Sequence, residues 1–236
     1  MKIALITDTH WGVRNDHLAF MENNNLFLDN VFFPLLVKHN IGTIVHLGDL
    51  VDRRKYININ TANRLRVDFL NKMIGYDVHI IAGNHDTYFK NTNEINSIRE
   101  LVDEKYDFKI YDRYAEEVNF DGTPILFIPW ICDDNRQRTV EIINGTKSTI
   151  AMGHLEIQGF EMYKGSIVSH GDDASLFDRF DMVMSGHYHH RSTNGHIWYL
   201  GSHAEFTWSD YDDPRGFHIF DTETRELTFI ENPYKM

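Results

Sequence analysis

The sequence predicts an α/β fold: a sandwich of two mixed sheets flanked by helices. Two patterns carry that expectation. The first half alternates short apolar runs with stretches of helical periodicity, β-α-β-α-β-α, which predicts parallel strands joined by right-handed crossovers. The second half crowds strand-like runs between Gly and Asp turns, which predicts antiparallel pairing. No internal repeat or low-complexity linker divides the 236 residues, a length that suits one domain with a buried core.

Residues 3–6 form the first apolar run, and Thr7 to Gly12 leaves it. Between Phe27 and His39, the residues Phe27, Leu28, Val31, Phe32, Leu35 and Leu36 recur at helical spacing. Pro34 is an awkward interior residue there and would kink or split the helix. Residues 41–47 read as strand two, left by 48–54. Ala62, Leu65, Phe69, Leu70 and Met73 mark a second helix. Residues 78–82 read as strand three, and Ile95, Ile98, Leu101 and Val102 mark a third helix. Later strands fall at 108–111, 117–120, 125–128, 149–152, 182–184, 197–200, 216–220 and 227–230, with a polar helix over 133–145. Asp121-Gly122 and Asn194-Gly195 are hairpin turns.

Composition narrows the function. With 42% hydrophobic residues the chain can bury a real core. No run approaches the roughly 20 apolar residues of a membrane span. The first apolar run is too short for a signal peptide. Cys132 is the only cysteine, which excludes an intrachain disulfide and a thiolate metal cage. A cytoplasmic protein with no membrane association is the expectation. The net charge of -12 argues against tight nucleic-acid binding by this chain alone. Carboxylates that hold cations nevertheless count as negative in such a sum, although an occupied site is not.

Five short polar motifs end apolar runs: Asp8-x-His10, Gly48-Asp49-x-x-Asp52-Arg53, Gly83-Asn84-His85-Asp86, Gly153-His154 and Gly186-His187-x-His189. Functional groups of parallel sheets collect beyond the carboxyl ends of their strands. Each motif alone reads as a turn. Together they gather buried carboxylates, which cost several kcal/mol unless a cation or partner compensates them. Imidazole, carboxylate and amide without sulfur suit Mn²⁺, Fe²⁺, Zn²⁺ or Mg²⁺. Seven candidate ligands (Asp8, His10, Asp49, Asn84, His154, His187 and His189) are too many for one ion and suit two, about 3.5–4 Å apart, that share a carboxylate. Asp86 reads as an acceptor for the loop's own backbone amides.

The five motifs, in this order from residue 8 to 189, resemble the signature of the calcineurin-like metallophosphoesterases. The resemblance implies that family's fold and metal-dependent hydrolysis of phosphate esters. It implies that Asp8, His10, Asp49 and His189 hold one ion, and Asp49, Asn84, His154 and His187 the other. His85 stands outside that set and, by the resemblance, faces the leaving oxygen. Asp52 either orients His85 or only caps a turn. Arg53 is a phosphate clamp by likeness to the phosphatases of the superfamily, or else a solvated surface arginine. Arg54 replaces the glycine that phosphoprotein phosphatases carry there, which leans away from them.

A narrower resemblance covers nearly the whole chain. Asp8-Thr9-His10-Trp11-Gly12, and the stretch from Gly201-Ser202 to Asp213-Pro214-Arg215-Gly216-Phe217, are similar to the nuclease subunits of double-strand-break repair complexes. Ile128-Pro129-Trp130 and Asp221-Thr222-Glu223-Thr224 resemble the phage recombination endonuclease small subunits of that group. This likeness implies a DNA exonuclease and endonuclease of repair and recombination, with two divalent ions. Mn²⁺ is the expected metal and Mg²⁺, Fe²⁺ or Zn²⁺ are the alternatives. It implies an SMC-like ATPase partner and a homodimer, with Phe20, Leu26 and Leu65 as exposed anchors. Members usually continue into a DNA-capping domain and an ATPase-docking segment. This chain ends at Met236, so the expectation is a nuclease domain over residues 1–236 with those segments absent. Two other functions stay open: a phosphoesterase acting on phosphoproteins or small esters, and a non-catalytic DNA-end-binding or ATPase-docking module.

Of the remaining candidates, His46 and His79 lie inside strand patterns and read as core. His17, His170, His190 and His203 could support the ligands or touch substrate. Trp11, Trp130 and Trp208 read mainly as core, although an aromatic at the mouth could stack on an unpaired base.

Overall fold

The computed structural model describes residues 1–235. Its first-half strands are β1 (Lys2–Ile6), β2 (Thr43–His46), β3 (Asp77–Ile81), β4 (Lys109–Tyr111), β5 (Glu116–Phe120) and β6 (Thr123–Ile128). Those that follow are β7 (Ile150–His154), β8 (Glu161–Tyr163), β9 (Ser166–Ile167), β10 (Met182–Gly186), β11 (Ser192–Thr193), β12 (Ile197–Tyr199), β13 (Gly216–Asp221) and β14 (Leu227–Glu231). Among the described residues they form two six-stranded sheets, β14-β13-β1-β2-β3-β4 and β11-β12-β10-β7-β6-β5, and a small β8-β9 hairpin.

Alternation along each strand sets the layers, because successive side chains point to opposite faces. Ile3 and Leu5 pack inward with Val45, Phe127, Met152 and Met184, so this core lies between the two sheets. Ala4 and Ile6 pack outward with Phe27, Phe32, Leu36, Leu65 and Phe69. Beyond the second sheet, Leu126, Ala151 and Val183 pack with Ile143 and Tyr199. Each Phe, Leu or Ile fully buried here stabilises the fold by roughly 1.5–3 kcal/mol relative to leaving it exposed. The expected sandwich of two mixed sheets flanked by helices is the observed one.

Several sequence expectations are corrected. The first helix begins earlier, at Leu18, and runs as α-helix Leu18–Phe27, π-turn Leu28–Phe32 and α-helix Phe33–Lys38. Pro34 is the second residue of the last segment, inside a helical run continuous from Leu18, where it cannot supply the N–H of an interior helical residue. The π-turn directly before it accommodates the irregularity. The second helix likewise passes from α (Ile59–Arg64) through π (Leu65–Phe69) to 3₁₀ (Leu70–Met73). Strands β6, β7, β10 and β12 pair in parallel, not antiparallel as the close spacing suggested. The helix Arg136–Gly145 and the long connection after β7 supply the crossovers that parallel pairing needs. The antiparallel pairs among the described residues are the edges β5/β6 and β11/β12, the small β8/β9 hairpin, the terminal hairpin β13/β14, and β13 against β1, which joins that hairpin to the first sheet. Both hairpin turns form, with Asp121, Gly122 and Gly195 at positive φ. Leu65 is fully buried and cannot be an exposed anchor; Leu26 is exposed. Trp11 is core, stacked on Phe69 at 6.2 Å, whereas Trp208 is 90% exposed. No helix among the described residues is long and apolar enough to cross a membrane.

Candidate metal centre

The parallel strands of both sheets deliver their carboxyl ends to one edge of the sandwich. There the chain turns sharply. Asp8, His10, Asp49 and His187 all have positive φ, at 52°, 42°, 56° and 87°. Such backbone costs a non-glycine residue roughly 1–3 kcal/mol and persists only where the surroundings over-determine it. Two glycines permit the close approach. A Cβ on Gly83 would sit against the Asp49 backbone nitrogen and carboxylate, and one on Gly186 against Thr7 Oγ1, with Asp8 Oδ2 2.9 Å away.

Asp8 is buried and held by the Thr7 hydroxyl (2.6 Å) and the His187 N–H (3.1 Å). His10 Nε2 and His189 Nε2 lie 3.0 Å apart, and 3.8 and 3.9 Å from Asp8 Oδ1. On the other side, His154 Nε2 and His187 Nδ1 converge on Asn84 Oδ1 at 3.0 and 2.9 Å. Asp49 stands between the two groups. Its Oδ1 accepts the His85 N–H at 2.7 Å, while its Oδ2 is 3.6 Å from His10 Nε2 and 3.4 Å from His154 Nε2. Bonds of about 2.1 Å put neighbouring donors about 3–3.4 Å apart around an octahedral or tetrahedral ion. The close donor pairs match that spacing, and the sulfur-free donor set suits a divalent cation. The structure thus brings together all seven sequence-predicted ligands; Asp8/His10/His189 and Asp49/His154/His187 could each hold an ion.

Neighbouring groups orient these donors. His154 Nδ1 donates to the Leu47 carbonyl at 2.7 Å, which leaves Nε2 as the nitrogen aimed at the site. Burial pushes the His10 and His187 imidazoles down, towards the neutral form a metal needs. Burial opposes charge on Asp49 too, but His154, His85 and His10 outweigh it and hold the carboxyl well below its ordinary value. Reciprocally, burial would lower His154, yet the charge and hydrogen bond of Asp49 push it up to about 9. Asp86 accepts from the N–H groups of Asp49, Leu50, Val51 and Gly83 at 2.9–3.2 Å, fixing both loops as the sequence suggested.

His85 stands beside this set. Its ring meets His10 edge-on at 4.9 Å, and its Nδ1 lies 2.5 Å from the backbone carbonyl of Asp52. That carbonyl, not the Asp52 carboxylate, is the hydrogen-bond partner. The carboxylate instead lies 3.6 Å from His10 Nδ1, and burial pushes it up. Arg53 is engaged elsewhere: it pairs with Asp16 at 2.7 Å and reaches the Gly12 carbonyl. Trp130 is half-buried with its ring 5.2 Å from that of His187.

His46 and His79 are buried, as expected. His203 is buried against Asn24, His190 pairs with Asp213 at 2.8 Å, and His17 caps the helix beginning at Leu18. His170 lies 3.2 Å from Glu156, whose Oε1 is also 3.7 Å from His187 Nε2. The sequence reading missed Glu156; its one signal was its position two residues beyond His154, past the end of β7. It named Arg215 within a motif but gave it no role; Arg215 donates to the His189 carbonyl and to Ser202 Oγ.

A fold with five strand-end motifs converging on two donor groups is that of a metal-dependent phosphoesterase. Residues 1–191 match the calcineurin-like phosphoesterase family, and the chain belongs to it. Among its relatives, it is 35% identical over 236 residues to Exonuclease subunit 1 of Enterobacteria phage T4, the match covering 98% of this chain and 68% of that protein. It is 25% identical over 257 residues to the SbcD nuclease subunit of Staphylococcus saprophyticus (97% of this chain, 67% of that one). The Staphylococcus epidermidis protein of the same name is 26% identical over 262 residues (98% and 69%).

Proposed function

We propose that the chain is a DNA nuclease that hydrolyses phosphodiester bonds with two divalent ions held in this centre. One observation carries the reading: Asp49 Oδ2 faces both donor groups at 3.6 and 3.4 Å, while Oδ1 is occupied by the His85 N–H. Relatives named as an exonuclease subunit and nuclease subunits support a nucleic acid as the substrate, and the resemblance to double-strand-break repair nucleases makes DNA the proposed one. The relatives' names, each that of a subunit, also support work with a partner subunit; an SMC-like ATPase as that partner, a homodimer and a cytoplasmic site are proposed on the resemblance alone. Mn²⁺ is the proposed metal, ahead of Mg²⁺.

Asp8, His10, Asp49 and His189 would hold one ion, and Asp49, Asn84, His154 and His187 the other. Bound there, the ions would supply an activated water and neutralise charge on the phosphoryl oxygens. The chain's own groups do the rest. A carbonyl can only accept, so His85 Nδ1 carries the proton shared with the Asp52 carbonyl. Nε2 is then the edge left facing the site, and only when the ring is the imidazolium, with a proton on each nitrogen, can Nε2 give one to the leaving oxygen. The Asp52 carboxylate, 3.6 Å from His10 Nδ1 and not hydrogen-bonded to it, would act on that ring through its charge alone. For Arg53 to clamp a phosphate, its pair with Asp16 would have to open.

The test is hydrolysis of end-labelled duplex and single-stranded DNA with Mn²⁺ or Mg²⁺, beside a phosphomonoester. The proposal expects DNA cleavage that is strongest with Mn²⁺ and absent with a chelator. Turnover of the monoester with DNA untouched would instead favour a small-ester phosphoesterase. DNA binding without any hydrolysis would favour a non-catalytic module.

A further inference from the structure

An aromatic cavity of about 420 Å³ opens beside the metal centre, lined by Arg14, His17, Phe20, Phe206, Trp208 and Tyr211 among others. That volume lies within the roughly 300–1,000 Å³ of small-ligand pockets. We propose that this cavity stacks an unpaired nucleobase of the strand being cut, a proposal that rests on the nuclease reading above.

Position argues for this occupant. The buried Phe206 ring meets His10 edge-on at 5.6 Å and His189 at 5.7 Å. One ring therefore separates the cavity from two candidate ligands. A strand with a phosphate at that centre would carry a neighbouring base past the opening.

The rim is built to stay exposed. Trp208 is 90% and Tyr211 72% exposed. A single exposed aromatic needs no explanation, but this pair stands on a braced turn. The 3₁₀ turn Trp208–Asp210 is closed by a reciprocal Thr207–Asp210 cap. Buried Asp210 accepts from the Phe206 and Thr207 N–H groups at 2.8 Å each and pairs with Arg215 at 3.1 Å. Arg215 also holds Asp213 and the His189 carbonyl. The network that fixes the aromatic turn is thus bonded to the backbone of a candidate ligand.

Chemistry selects an unpaired base. Aromatic faces stack on any base, but a base inside a duplex offers no free face. Arg14, which donates to the Phe206 carbonyl at 2.6 Å, is the fixed cation on the rim, and His17 and Glu205 also line the cavity. Stacking also suits a chain of net charge -12, because it does not depend on neutralising phosphates and persists as salt rises.

Fluorescence anisotropy of a labelled oligo-dT strand, in chelator at low and high salt, reads the cavity without cleavage. Trp208→Ala should weaken binding roughly 5- to 150-fold, the effect of losing one base stack, with a similar factor at both salt concentrations. Trp208→Phe should recover most of it, and Tyr211→Ala should weaken binding in the same direction. In Mn²⁺, the ratio of kcat/KM for the oligonucleotide to that for bis(4-nitrophenyl) phosphate should fall by a similar factor in Trp208→Ala. DNA hydrolysis with an unchanged ratio and unchanged affinity would overturn the cavity proposal alone. Single-strand binding through Trp208 with no hydrolysis of any phosphodiester would overturn the nuclease reading and leave the base site standing.

Discussion

Replacing Asp86 with Asn changes one atom, so its effect isolates the hydrogen bonding of the loops that carry the centre. Asp86 Oδ1 accepts from the Leu50 and Val51 N–H groups and Oδ2 from those of Asp49 and Gly83. An asparagine has one acceptor oxygen, so in either orientation its NH₂ confronts two buried donors. At about 1–3 kcal/mol for each buried donor left without a partner, the substitution should cost roughly 2–6 kcal/mol. That is a large share of the ~5–15 kcal/mol that holds a typical domain together. At about 2–4 °C per kcal/mol, the melting temperature should fall by roughly 4–24 °C. In the metal-free protein, burial and the Asp49 charge push Asp86 up to about 7, so the melts belong at about pH 8.5, where the carboxylate form prevails. Thermal unfolding in chelator, followed by Mn²⁺ titration, reads both stability and site geometry. A melting temperature within about 2 °C of the parent, with unchanged Mn²⁺ affinity, would refute the claim that Asp86 fixes these loops.

Three further outcomes follow from the geometry. Gly186→Ala would press a methyl group against Thr7, Asp8 and the Leu47 carbonyl; misplacement of a ligand should lower kcat on the order of 100-fold, and parental kcat would show that the contact is not limiting. His85→Ala should cost about 10²–10⁴ in kcat, the range for a lost general acid, while elemental analysis still finds the parental metal content; full activity would remove His85 from the mechanism. His154 is raised from 6.5 to about 9, so its proton stabilises the metal-free fold fully below pH 6.5 and is lost as pH rises through about 9. An ion must displace that proton near pH 7.5, so calorimetry in buffers of different ionisation enthalpy should show about one proton released per ion at that position; identical heats would contradict it.

Much of the centre is legible in the sequence because strand ends are short-range features. An apolar run followed at once by Gly-Asp, Gly-Asn-His-Asp or Gly-His places side chains beyond a carboxyl end without knowledge of the partner strands. Asp49, Asn84, His154 and His187 were placed that way, Asp8, His10 and His189 by the motifs Asp8-x-His10 and His187-x-His189, and Asp86 was read correctly as an acceptor of backbone amides. What failed depends on distant chain. The parallel pairing of β6, β7, β10 and β12 is set by crossovers that local spacing does not reveal. The helix start at Leu18 was hidden by the polar run Glu22 to Asn25, although Asn23 and Asn24 are buried and Asn24 bonds His203. Leu65 and Trp208 exchanged expected environments, because helical periodicity marks a face but not what covers it. The partner of His85 was missed for a similar reason. Side-chain identity suggested the Asp52 carboxylate, and the fold presents its backbone carbonyl.

The central claim is that Asp49 joins two ions. Anomalous diffraction at the manganese edge, from crystals grown with Mn²⁺, addresses it without reference to substrate. The account predicts two peaks flanking Asp49, one among Asp8, His10 and His189 and the other among Asn84, His154 and His187. A single peak, or two peaks with Asp49 bound to only one of them, would contradict it.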